Sequence, residues 1–454
     1  MDRTAIVGIH FGATSTAAAY AVTDDKANLP NSTPQTHVLG NWPEAIKQAR
    51  VLDQVPRDQG IQTTVFYRYS KSEPGLEVVG WDGNPDSDSD PDEIASSRGI
   101  PRPGILLTWD FKAHLFPPRD ANSDEGTARV FFPPGKSVQD ITVDYLTCLR
   151  RSVSKQVADQ LGQSEAAHIH NKIQHRYIIT IPVFWDEEYR NKFREICLTA
   201  GFDDKNITLI PKPEASLRNT ISKPPIEFKS ETGDNVLVIS SGGHNTSATT
   251  YTLISPSPPN FQRNPAVTPS STPTGSTTIT TLFMTLAQSR ITKMGLPYTA
   301  NRAKSVIRYR CKREFEKQVL LGFGKTEFQL PPEVQDVPGV FWAADVGVEF
   351  ECPEAGLVEG YLVFTEEEIR GCFDGAVETT VNIVAGQVGR MRDQGGEIQA
   401  CLLAGGFAKC PYYSGKVREG IERGYGLGVI QSEELDCSVG VARGAVLAGI
   451  GMLD

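Results

Sequence analysis

Three glycine turns, each directly after an apolar run, carry most of the chemistry this sequence offers: His10-Phe11-Gly12-Ala13-Thr14, Ser240-Ser241-Gly242-Gly243-His244-Asn245 and Ala404-Gly405-Gly406-Phe407-Ala408. Glycine at a strand end has no Cβ, so backbone N–H groups approach a ligand closely, and oriented N–H groups form a nest for an anion. One such turn often merely punctuates a strand. Three in this order point to a binding site built at strand ends. Two of the seven histidines, His10 and His244, fall in these turns. Imidazole titrates near neutrality and works as a general acid or base, or donates a hydrogen bond to a developing oxyanion. The alternative is that both rings are satisfied by their neighbours and have no chemical role.

The elements that must position these turns follow from hydropathy. Residues 4–10 and 16–22 read as strands around the first turn, with further strands at 61–69 and 75–81. The acidic segment 82–97 reads as a solvated loop. Its alternating Asp86, Asp88 and Asp90 lack the turn glycine and terminal glutamate of a calcium loop. The proline-rich segment 98–136 reads as irregular. A helix is expected over 138–161, a strand over 177–182, and a helix over 186–201 with Asp186 as N-cap and Gly201 closing it. Residues 209–221 pass from strand into helix, and the polar segment 222–234 reads as a boundary.

The second half begins like the first, with strands at 235–241 and 247–254 around the second turn. A Ser/Pro/Thr-rich loop is expected at 255–274, helices at 277–294 and 299–319, and a β-rich stretch at 326–363. A helix at 366–392, a strand at 400–404 and a last helix at 439–450 complete the chain. Each half opens with strand–glycine turn–strand and closes with strand–turn–helix. That repetition predicts a duplicated α/β lobe with a cleft between the copies.

Composition narrows the function classes. The chain has 454 residues, 39% hydrophobic, which suffices for two or three domains. Its net charge of −10 without a long basic run argues against a nucleic-acid partner. Eight scattered cysteines without a Cys-x-x-Cys pair suggest neither a zinc site nor a disulfide framework. No apolar run approaches the roughly 20 residues that span a bilayer, and no signal-peptide pattern opens the chain. A cytoplasmic protein without a membrane partner is expected.

The order of these motifs resembles the actin-like ATPase superfamily, and most of all the heat-shock 70 kDa chaperones and their divergent fungal-type relatives without a peptide-binding domain. Gly8-Ile9-His10-Phe11-Gly12-Ala13-Thr14 is similar to the family's first phosphate turn, with Gly12 and Thr14 at binding positions. Thr180-Ile181-Pro182-Val183-Phe184-Trp185 resembles its strand–helix junction, and Pro211-Lys212-Pro213-Glu214-Ala215-Ser216 its connecting segment. Ser240 to Ser247 resembles the second phosphate turn, with Gly242 and Gly243. Arg310-Cys311-Lys312-Arg313 looks like the adenosine-side helix, through Lys312 and Arg313. Leu403 to Ala408 looks like the adenosine turn, through Gly405 and Gly406, and Gly440 to Ala445 like the closing helix. Lys112 stands for the family's catalytic lysine and Glu214 for its connecting acid. The likeness implies two ribonuclease-H-like lobes, 1–224 and 225–454, around a central cleft, with no peptide-binding domain following.

The departures from the family pattern shape the expected function. His10 replaces the first aspartate, and Ser240 and Ser247 stand in the other two acidic places. Ala13 replaces a threonine, His244 a glycine, and Tyr309 an acid at the nucleotide. Magnesium prefers carboxylate oxygens, so little or no ATP hydrolysis is expected. The resemblance instead implies a polar cluster of His10, His244, Ser240, Ser247, Lys112 and Glu214, holding a small organic molecule. Metal-free isomerisation, dehydration or cyclisation suits such a cluster, with no cofactor required. Two alternatives stay open: a pseudo-ATPase that holds ATP or ADP without turnover and acts with a protein partner, and a weak ATPase.

Overall fold

Two six-stranded mixed sheets carry the fold, and their strand orders correspond position for position. In the first, β1 (Arg3–Phe11) lies antiparallel to β2 (Ser15–Asp24) and parallel to β8 (Gln174–Ile181), with β9 (Ile207–Pro211) beyond. In the second, β10 (Asn235–Ser241) lies antiparallel to β11 (Thr246–Pro256) and parallel to β17 (Ala400–Ala404), with β18 (Val429–Gln431) beyond. The short β3 (His37–Val38) and β4 (Ile61–Gln62) pair with β2, as β12 (Pro259–Arg263) and β13 (Ser270–Thr272) pair with β11. This computed structural model describes residues 3–24, 35–40, 61–69, 76–80, 105–116, 132–161, 174–222, 231–256, 259–297, 300–325, 328–431 and 437–452.

The central strands are buried on both faces, so they read as nearly continuous apolar runs. On β1, Ala5, Val7, Ile9 and Phe11 face a core with Tyr145 and Leu149 of α1 (Val138–Gln160) and Phe193 of α2 (Glu187–Thr199). Both helices are started by their sequence. Ser137 and Asp140 form a reciprocal capping box for α1, and Asp186 accepts from the Tyr189 N–H of α2. On β10, Leu237 and Ile239 face the larger core of the second half. There they meet Phe283 of α4 (Ser276–Lys293), Phe373 of α6 (Glu366–Asp393) and Val417 of α7 (Pro411–Tyr425).

The opposite faces are covered by exchange. The last helix, α8 (Cys437–Ile450), lays Ala442, Ala445 and Val446 on Ile6, Ala19 and Ile178 of the first sheet. In return α3 (Lys212–Ser222) lays Leu217 and Ile221 on Val236, Val238 and Tyr251 of the second. The two helices touch backbone to backbone: a Cβ on Gly444 would overlap the carbonyl oxygen of Ala215. The inner faces of both sheets therefore look onto one pair of crossed helices.

Several expectations change. The 255–274 segment is not simply a loop. Phe261, in β12, is buried against α3 and β11, and the Ser-Ser-Thr stretch 270–272 pairs with β11 as β13. Within 98–136, residues Ile105–Trp109 form β7, which with β6 (Leu76–Gly80) flanks β5 (Thr64–Tyr69). A 3₁₀ turn, Phe111–His114, follows. Among the described residues of the 326–363 stretch, the strands are β14 (Trp342–Asp345), β15 (Leu357–Val358) and β16 (Tyr361–Phe364), joined by turns. The expected 299–319 helix is α5 (Asn301–Glu314) running into a π-helical turn, Phe315–Val319. Helix α7 was not anticipated, since glycines 415, 420 and 424 weaken its signal. The segment holding Asp86, Asp88 and Asp90 lies outside the described residues. Among the described residues, no helix is long and apolar enough to cross a membrane.

Candidate functional site

β1 and β10 end in turns closed the same way. The Gly12 N–H donates to the Ser15 carbonyl at 3.0 Å, and the Gly242 N–H to the Asn245 carbonyl at 2.9 Å. The ladders agree residue by residue: His10 pairs with Ala17 and Thr180, and Ser240 with Ser247 and Ala404. His10 and Ser240 thus occupy equivalent positions, as do the turn tips Thr14 and His244. Strand alternation puts His10 on the face of Ile6, against α8, and Ser240 on the face of Val236 and Val238, against α3. The two turns meet. A Cβ on Gly243 would stand 2.5 Å from Cγ2 and 2.9 Å from Oγ1 of Thr14, so glycine is what permits the approach.

Each turn is braced from behind. Thr63 Oγ1 donates to the Gly12 carbonyl at 3.0 Å, and the Thr63 N–H to the Thr14 carbonyl at 3.1 Å. In the second turn, the Ser276 and Thr277 N–H groups at the start of α4 donate to the carbonyls of Gly242 and Gly243, at 3.1 and 2.9 Å. Free N–H groups at a helix start need acceptors, and here the turn supplies them. Gly405, at φ 102°, presses on the Ser241 backbone, and Ser241 Oγ, Tyr413 OH and Thr380 Oγ1 form a chain with both links 2.8 Å. Gly406 has open space beside it.

No family model matches this chain, and no curated protein matches it significantly.

The electrostatics at the turn ends are basic. His10 is 3% exposed, with Nδ1 3.2 Å from Thr180 Oγ1. Burial pushes its imidazole well below the usual range, and Lys212 and Lys112 add repulsion, so the ring is neutral at neutral pH. Lys112 is buried. Its Nζ donates to the Phe11 carbonyl and lies 4.3 Å from the Phe11 ring centroid and 5.7 Å from that of Trp185. Two influences compete on this amine. A cation–π contact favours the ammonium by about 0.5–2 kcal/mol. Removing an ammonium from water costs several kcal/mol. Burial prevails, Lys212 adds to it, and the amine sits well below its usual range. Lys212, the first residue of α3, places Nζ 3.5 Å from where a Gly242 Cβ would stand.

The other histidine faces a different partner. His244 Nδ1 is 3.3 Å from Thr277 Oγ1, and its Nε2 is 3.2 Å from Asp110 Oδ1, without hydrogen-bond alignment. Asp110 is left-handed, φ 55°, one of two non-glycine residues so placed among those described. That conformation is uncommon outside glycine and draws attention to a functional position. Burial lowers the neighbouring His114, with His244 adding to the effect and Asp110 opposing it. Glu316 is 43% exposed yet crowded enough for desolvation to raise its carboxyl, against the pull of Lys312, whose Nζ is 3.8 Å away.

The two turns meet, with Lys112 against the end of β1 and Ser240 and Ser247 buried as a pair on the strands that flank the second turn. Glu214 is held elsewhere, by Arg218 Nε and Nη2 at 3.1 and 3.0 Å. Lys312 pairs with Glu316, and Arg313 hydrogen-bonds Tyr309. At the strand ends His10, Ser240 and Ser247 offer an imidazole and two hydroxyls where magnesium would prefer carboxylates, and the carboxylate nearest the turns, Asp110, meets His244. Thr180, Asp110, Lys212, Thr277 and Glu316 were missed by sequence reasoning. Thr180 and Asp110 act through partners distant in the chain, whereas Glu316 pairs with Lys312 one helical turn away.

Proposed function

We propose that the two sheets are the ribonuclease-H-like lobes of an actin-like ATPase fold whose interlobe site holds an anionic small organic molecule, with His10 as the proton-transferring group. The observation that carries this reading is the convergence of His10, Lys112 and Lys212 on the ends of two abutting glycine turns. Matching strand order, matching register and the reciprocal helices α3 and α8 support the fold assignment. Lys212 neutralises the ligand's charge where the resembled family uses a metal. The neutral imidazole, oriented by Thr180, takes up or delivers a proton, which suits isomerisation, dehydration or cyclisation. Ser240 and Ser247 offer hydroxyl partners from the facing sheet.

A second reading, nucleotide binding without turnover by a protein acting with a partner, draws on the open space at Gly406 and the pair Lys312–Glu316. One experiment separates the two. Melting temperature is followed with pyrophosphate, citrate, ATP and ADP, each with and without magnesium. A ligand at a hundred times its Kd stabilises by about 2.7 kcal/mol. The first reading expects stabilisation by small anions, indifferent to magnesium and weakened at least tenfold in Lys212→Gln. Stabilisation only by nucleotide, strengthened by magnesium, would replace it with the second.

A further inference from the structure

We infer that Lys112 is a carbonyl-capturing amine, so that the ligand of this cleft is an anionic aldehyde or ketone held as an imine; this rests on the anion-binding reading above. The placement is specific. Nζ meets the carbonyl of Phe11, between His10 and Gly12, at the junction of β1 with the first glycine turn. Around it stand the ring faces of Phe11 and Trp185. A buried lysine ordinarily has a carboxylate partner. Among its described contacts Lys112 has a carbonyl and two rings instead, with a second lysine, Lys212, acting on it. A carbonyl acceptor needs only one N–H, which a neutral amine also has, so the lone pair remains for bonding. An amine whose ammonium form is disfavoured by an apolar setting and a cationic neighbour is the activated kind of lysine nucleophile.

The chemistry balances without an oxidant or a metal. The Nζ lone pair adds to the carbonyl carbon, forming the C–N bond of a carbinolamine. The carbonyl oxygen then leaves as water, with both protons of the amine, giving the imine. Protonation of the imine from solvent makes it an electron sink. The His10 imidazole then takes a proton from the adjacent carbon, leaving an enamine, and returns it to the same or a neighbouring atom. Lys212 and the backbone of the glycine turns hold the anionic group.

The test is reductive trapping on the full chain. The protein is incubated at neutral pH with glyoxylate, or with uncharged acetaldehyde, then reduced with sodium borohydride and mapped by peptide mass. The expected result is that glyoxylate labels Lys112 at least tenfold faster than the exposed Lys293, and that Lys212→Gln removes most of this advantage while acetaldehyde still labels Lys112. Equal labelling of Lys112 by both aldehydes would uphold the amine and overturn the anion reading. Labelling of Lys293 without Lys112, with anion-dependent melting shifts retained, would overturn the amine and leave the anion reading standing. Labelling of Lys112 only in urea would assign it a purely structural role and likewise overturn the inference.

Discussion

At His10, burial and charge are directly opposed. The ring occupies the position that a serine hydroxyl fills in the second sheet, and it carries an ionisable group into a place where ionisation is disfavoured. Its folded-state basicity is depressed, so the unfolded chain binds the proton more readily. Stability from this group is complete above the unfolded value near 6.5 and is lost as pH falls toward the folded value. The loss is at most about 1.4 kcal/mol per pH unit. His114 titrates in the same direction and remains in any His10 variant, so the comparison isolates His10. His10→Asn, whose amide keeps a partner for Thr180, should show a urea midpoint flatter than wild type between pH 6.5 and 5. An identical pH slope in both proteins would place the acid sensitivity elsewhere.

Between elements, glycine has opposite meanings in two helices of similar length. On α8, Gly444 lies against the carbonyl oxygen of Ala215, and no side chain fits without parting α8 from α3. On α7, Gly415 is exposed and has nothing within 4 Å of an added Cβ. Gly444→Ala should therefore destabilise by about 2 kcal/mol or more through overpacking. Gly415→Ala should stabilise by about 0.5–1 kcal/mol, because alanine loses less backbone entropy in a helix. Paired urea titrations read both signs. A neutral Gly444→Ala would show that the crossed helices yield easily. Helix α7 itself illustrates why such elements escape sequence reading. Its buried residues Tyr413, Val417 and Ile421 are correctly spaced, but the glycines among them dilute the pattern.

For the whole molecule, Asp110 and His244 join the two halves of the chain. Asp110 follows β7 in the first half, and His244 tips the second glycine turn. Their side chains are 19% and 28% exposed, so solvent screens the contact. Asp110→Asn retains a residue that tolerates the left-handed backbone. Amide exchange at residues 12–16 and 242–246 should then quicken about two- to fivefold, with exchange inside β1 unchanged. Unchanged turns would mean that the Gly243–Thr14 contact alone keeps the halves together.

The strand–glycine turn–strand units, most of the long helices and the duplicated order were determined by the sequence itself. Each rests on local periodicity, on a capping residue such as Asp186, or on glycine at a strand end, and local signals survive without knowledge of partners. The edge strands β12 and β13 were hidden because an edge strand is defined by what it pairs with, and their Ser/Thr/Pro composition also suits a loop. The site divides in the same way. His10, His244 and the glycine turns were visible from residue type and spacing. Glu214 was equally visible, yet its carboxylate is held by Arg218 one helical turn away. Thr180 is 170 residues from His10, and Asp110 and Lys112 come from a segment whose strand was not anticipated. Their protonation, pairing and reach depend on burial and on through-space charge, and these exist only once distant parts of the chain are folded against each other.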